Sequence, residues 1–148
     1  MITEDEFFED TYGSVGKMFK DAYVGGWTAA EKWDLLSEGS RCITLFSPKR
    51  ISEKEIYGVR LNVQVLPRKQ MFGIIEVETQ SGKYHCSDLE KTIVDAMMYP
   101  QMFGDDLNHQ EVIKNYMLRD DKDLNKLKTY FKLANCPELM IRMMKEAQ

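Results

Sequence analysis

The chain has no CxxC pair, no glycine-rich phosphate loop and no long apolar run, and each absence removes a class of protein. Three cysteines, Cys42, Cys86 and Cys136, stand far apart and in odd number, which suggests neither a disulfide framework nor a zinc knuckle; reduced thiols are the expectation. No apolar run approaches the ~20 residues of a bilayer-spanning helix. The amino end, MITEDEFFED, is acidic where a signal peptide is basic, so a cytoplasmic chain without membrane contact is expected. Gly13, Gly16, Gly25 and Gly26 fit neither GxGxxG nor GxxxxGK[ST]. His85 and His109 are isolated from each other, and no serine has a convincing histidine and acid partner. The reading therefore assigns no catalytic residue, no metal ligand and no cofactor.

What remains is a chain of 148 residues with net charge -4, the length of about one domain. That charge is unevenly spread. Residues 40–72 hold seven basic side chains (Arg41, Lys49, Arg50, Lys54, Arg60, Arg68, Lys69) against Glu53 and Glu55, a local +5, so the remainder sums to -9. Glu4, Asp5, Glu6, Glu9 and Asp10 belong to that remainder, and residues 1–14 read as a loose acidic leader.

The periodicity changes along the chain. Thr3 with Glu6, and Thr28 with Glu31, match the capping-box pattern and place helix starts just after each threonine, the second helix running to about Ser37 before Gly39. Gly25-Gly26 permits a tight turn ahead of it. Cys42 to Phe46 is a short strand candidate, and Val59, Leu61, Val63 and Val65 alternate with Arg60, Asn62 and Gln64 as in a strand with one wet face. Phe72 to Thr79 and Tyr84 to Cys86 flank a hairpin-like turn at Gln80-Ser81-Gly82-Lys83. After residue 87 the apolar spacing becomes helical: Leu89, Ile93, Ala96 and Met97 form one stripe ending before Pro100, followed by helices at His109 to Leu118, Leu124 to Ala134 and Glu138 to Lys145. The expected fold is α+β, a small and mostly antiparallel sheet packed by helices, with a helical C-terminal half and a single domain over residues 1–148.

Residues 87 to 91, SDLEK, could be chemistry or helix architecture. Ser87 with Glu90 matches a capping box, Asp88 and Glu90 suit the positive end of a helix dipole, and Lys91 is placed to pair with Asp95 or Asp88. Architecture thus accounts for every charge. The rival is a metal-dependent nuclease using Glu76, Glu78 and Asp88 to hold divalent ions. It lacks the lysine that such a site needs two residues after its strand glutamate.

Three separated motifs resemble one family. YVGGWTAAEKWDLL at 23–36, the segment from FSPKRI to VLPRKQMFG at 46–73, and SDLEKTIVDAMMYPQMFGD at 87–105 together are similar to the C-terminal domain of the AbiEi-type antitoxins, over roughly residues 15–145. These antitoxins belong to type IV toxin-antitoxin systems of abortive infection, a phage defence. Leu89 stands where the family usually has proline, and Phe103-Gly104-Asp105-Asp106 keeps one of its usual glycines. Family members normally carry a DNA-binding winged helix ahead of the first motif, and the residues before Tyr23 are too few to build one. The resemblance implies a non-catalytic antitoxin domain opposing a nucleotidyltransferase-like toxin, without obligatory direct contact, and acting as a transcriptional regulator only where a winged helix is supplied.

Lys49, Arg50, Arg60, Arg68 and Lys69 are the candidate working surface. Arg60 lies on the wet face of its strand and the others in the loops at its approaches, so a patch on one side of the sheet is expected, attractive to phosphate in nucleic acid or on a nucleotide. Trp27, Trp33 and the ten methionines fall at helical spacings that read as core packing rather than as an exposed partner site.

Overall fold

A computed structural model describes residues 4–148, with side chains from Asp10 onward. Its elements are α1 (Glu4–Met18), β1 (Tyr23–Val24), α2 (Gly26–Lys32), β2 (Cys42–Ser47), β3 (Glu55–Ile56), β4 (Val59–Val65), β5 (Ile74–Thr79), β6 (Gly82–Ser87), α3 (Leu89–Met98), α4 (Asp106–Met117), α5 (Leu124–Leu133) and α6 (Glu138–Glu146). Short 3-10 turns at Arg68–Gln70 and Pro100–Phe103 complete it. The α+β expectation holds: strands occupy the middle of the chain and helices flank them.

The six strands form one sheet in the order β3-β4-β2-β1-β6-β5. It is mixed: β1 with β2, β3 with β4 and β5 with β6 are antiparallel, whereas β2 with β4 and β1 with β6 are parallel. β1 and β3 have two residues each, too few for a period-two pattern to register in the sequence. Tyr23 stands opposite Phe46 and Val24 opposite Leu45, so alternate residues of β1 and β2 point to opposite faces. Tyr23 and Phe46 join α3, α4, α5 and α6 in the larger core, with Ile93, Phe103, Ile113, Tyr116, Leu127 and Phe131 fully or almost fully buried. Val24 and Leu45 join Ile43, Leu61, Tyr84 and Cys86 in a second core closed by Val15 of α1.

The reading of residues 1–14 as a loose leader is corrected from Glu4 onward. That stretch is the start of α1, whose Thr11 and Val15 are buried. Gly16 explains why the helix lies so close: a Cβ there would overlap the carbonyl oxygen of Lys83 and stand 2.8 Å from Cα of Tyr84, both on β6. The Thr3 cap lies outside the described residues.

The second capping box is also corrected. α2 begins at Gly26, whose φ of 56° lies in the left-handed region, and ends at Lys32. Thr28 is inside this helix and caps nothing; its hydroxyl donates to the Cys42 carbonyl (3.3 Å) and accepts from the Thr44 amide (3.0 Å), tying α2 to β2. Trp27 and Trp33 pack against the larger core and donate to the carbonyls of Glu38 and Ser87. α5 and α6 follow their expected starts, whereas α4 opens at Asp106, three residues before the expected His109, because Asp105 caps it; Asp105 and Asp123 each accept an amide three residues on. α6 lays Met143 into the larger core beside Leu139, Met140 and Met144. Among the described residues no helix is long and apolar enough to cross a membrane.

Candidate functional site

The start of α3 carries a buried polar network built from the SDLEK segment. Lys91 Nζ lies 2.9 Å from Asp95 Oδ1, one helical turn on, and both side chains are 0% exposed. Asp95 Oδ2 accepts from the Tyr23 hydroxyl at 2.7 Å. Lys91 also sits 4.3 Å from the ring centroid of Phe72, so an aromatic face takes up a side of the ammonium that the carboxylate leaves open. Burial pushes the Asp95 carboxyl above its ordinary value, against the pull of Lys91. Burial, and then the Asp95 charge, hold the Tyr23 hydroxyl well above its own. A buried pair of this kind gains little net stability over an apolar one, but fixes one arrangement of the elements that supply it.

Around it, Asp88 and Glu90 reach toward α4 and α5. Asp88 Oδ1 accepts the Lys91 amide at 2.8 Å, while Oδ2 accepts from the Tyr130 hydroxyl at 2.6 Å and faces Lys126 Nζ at 3.1 Å. Glu90 Oε2 accepts from the Tyr116 hydroxyl (3.0 Å) and from the Asp123 amide (3.1 Å). Burial raises the Tyr116 and Tyr130 hydroxyls, with the adjoining carboxylates adding to it. The hydrogen bond with Asp88 raises Lys126.

These contacts correct the Ser87–Glu90 capping box. The N-cap is Asp88, and Glu90 faces α4 and α5. Ser87 ends β6, and its buried hydroxyl pairs with that of Thr92 at 2.8 Å. One helical residue was misplaced because Ser and Asp are both good caps and stand side by side. The expectation that Lys91 pairs with Asp95 is met.

The acids of the nuclease reading are not gathered. Glu76 and Glu78 lie on exposed β5 and share Lys83 at 3.3 and 3.7 Å, whereas Asp88 is enclosed by Tyr130, Lys126 and its own helix. Among the described residues no three His, Cys, Asp or Glu side chains group so as to hold a metal ion. His109 is bonded to the Ala96 carbonyl at 2.9 Å.

The five basic candidates divide. Because β2 and β4 are parallel, the loops that follow them leave the sheet at the same end, and Lys49 and Arg68 meet there on Asp21, at 3.0 and 3.8 Å. The Lys49 hydrogen bond holds the Asp21 carboxyl below its ordinary value. Arg50 lines the same groove, about 410 Å³, together with Lys17 and Lys20. A second groove of about 370 Å³ shares Lys20, Asp21 and Ala22 with it and adds Arg68 and His85. Arg60 does not converge. It pairs with Cys42 and Glu55 at the opening of β4, five strand steps or about 17 Å from the end that carries Arg68. Lys69 is exposed in the 3-10 turn and lines neither groove.

Lys17 and Lys20 were missed. Their signal in the sequence was a Lys-x-x-Lys pair just before Tyr23, readable as one side of a groove only once residues 4–18 are known to be a helix running along β6. The arrangement offers an exposed, multivalent cationic surface, and beside it a buried network whose charges are all satisfied from within the chain. No family model and no curated protein matches the chain.

Proposed function

We propose that the chain is a non-catalytic antitoxin domain of the AbiEi type, acting in the cytoplasm against a nucleotidyltransferase-like toxin, with the groove of Lys17, Lys20, Lys49, Arg50 and Arg68 as its working surface. One observation carries this reading. Hydrogen bonds join the motifs of the resemblance to each other, Tyr23 to Asp95 and Trp33 to the Ser87 carbonyl, while Asp88 and Glu90 of the SDLEK segment are engaged by Tyr130, Lys126 and Tyr116 of the helices behind them. Motifs that hold one another in place belong to a scaffold, and a scaffold of this type with its cations gathered at one end favours binding over bond cleavage.

Coexpression tests it. Coexpressed with a cognate nucleotidyltransferase-like toxin, the chain should relieve growth arrest, and reversing Lys20, Lys49 and Arg68 to glutamate should abolish the relief at equal soluble protein. Relief that survives the triple reversal refutes the surface. Chelator-sensitive nucleic-acid cleavage by the purified chain, lost on Glu76→Ala, refutes the non-catalytic reading.

A further inference from the structure

We infer that the groove at the α1 end of the sheet binds the phosphodiester backbone of a base-paired nucleic acid. The inference deepens the working surface proposed above by naming its ligand class, and it is tested on the purified chain without any toxin.

The first argument is the charge that a ligand meets. Lys17, Lys20, Lys49, Arg50 and Arg68 surround Asp21 and Glu53, a local +3 on a chain of net charge -4. At physiological salt the screening length is about 8 Å. Along α1, Lys17 is thirteen residues from Glu4, about 20 Å, and seven from Asp10, about 10 Å, so the acids of that run stand more than one screening length from Lys17. The local sum decides what is attracted.

The second argument is how the cations are presented. Lys49 and Arg68 are each 67% exposed, and the buried hydroxyls among the lining residues are engaged within the chain, that of Ser47 with the Lys49 amide and that of Tyr23 with Asp95. Such exposed side chains hold one small anion weakly, because each must be ordered for a single contact. A polymer that touches several at once gains the release of several condensed counterions. Asp21 adds to this by tethering Lys49 and Arg68 side by side.

The third argument separates paired from single strands. Single-strand sites stack bases on exposed rings. Here the rings that line the two grooves are Phe19, half-buried against the second core, Tyr23, 1% exposed, and the exposed imidazole of His85. One imidazole and the edge of Phe19 are a small stacking surface beside five cations, so the groove suits a nucleic acid whose bases are already stacked on each other and whose phosphates face outward.

The experiment is a salt titration of binding by fluorescence anisotropy. The probes are a labelled duplex RNA, a duplex DNA, the matching single strands, and vesicles of phosphatidylserine in phosphatidylcholine. One or both duplexes should bind with a logarithmic salt slope between about -3 and -4.5, a loss of about 60- to 500-fold from 50 to 200 mM salt. The RNA and DNA arms show which duplex is preferred. Lys20→Gln/Lys49→Gln/Arg68→Gln should flatten the slope by about 3, with an unchanged circular dichroism melt showing that these exposed changes leave the fold intact. Lys54→Gln/Arg60→Gln, at the other end of β4, should leave it unchanged. The inference is overturned by no duplex binding at 50 mM salt, by single strands or vesicles binding more tightly than either duplex, or by a slope that follows Arg60 in place of the groove. Failure here leaves growth relief to be judged separately, since that assay needs no nucleic-acid ligand.

Discussion

Replacing Asp95 by asparagine removes one charge from a place that water does not reach. The carboxamide keeps the size of the side chain and can still accept from the Tyr23 hydroxyl, so packing and that hydrogen bond are nearly conserved. What changes is Lys91, whose ammonium is 0% exposed and would be left with the Phe72 and Tyr23 rings as its charge-compensating neighbours. Stranding one partner of a buried pair costs about 3–5 kcal/mol, about a fifth or more of the stability of an ordinary domain, roughly 5–15 kcal/mol. At about 2–4 °C per kcal/mol for a chain near this size, the melting temperature falls by roughly 6–20 °C. Urea denaturation followed by circular dichroism reads this as a lower midpoint at an unchanged slope. Removing the network together is the control. Lys91→Met with Asp95→Leu and Tyr23→Phe leaves no orphan polar group, and should return to within about 1 kcal/mol of the parent chain. An Asp95→Asn cost below about 1 kcal/mol, or a triple variant as weak as the single one, would refute the reasoning that the pair is held by mutual compensation in a dry site.

Two further outcomes follow from local geometry. Asp88→Ala loses the α3 cap, about 1 kcal/mol, and the Tyr130 hydrogen bond, about 1 kcal/mol more; Ser87→Ala should cost less, and the reverse ranking in a urea melt would return the cap to Ser87. Gly16→Ala should destabilise by about 1–3 kcal/mol despite the better helix propensity of alanine, because the new methyl meets the β6 backbone; a raised melting temperature would show that α1 does not lie where the described contacts put it.

What could be read in the sequence were the features with a local signature. The alternation of Val59 to Val65 and the apolar stripe of Leu89 to Met97 became β4 and α3, since each is long enough to show its period. β1 escaped because Tyr23-Val24 is a strand only by pairing with Leu45, Phe46 and Cys86, all distant in sequence. Thr28 had the spacing of a cap and was claimed instead by the backbone of β2. At the surface, Lys49 and Arg68 were found because both follow strands, but their meeting depends on β2 and β4 running parallel, which no pattern of side chains announces. Arg60 was grouped with them for the same reason: the order of strands, and hence the end at which each residue emerges, is set by long-range pairing.

The placement of β1 bears on how this chain reaches its native state. A strand of two residues at the middle of the sheet is the seam between the β5–β6 hairpin and the β2, β3 and β4 group. Each flank has neighbours close in sequence and can form early, whereas the seam needs residues 24 and 86 to meet, closing a long loop for very few backbone bonds. Assembly should therefore be slow at this last step, leaving two preformed halves with open edges that can pair with another molecule before they pair with each other.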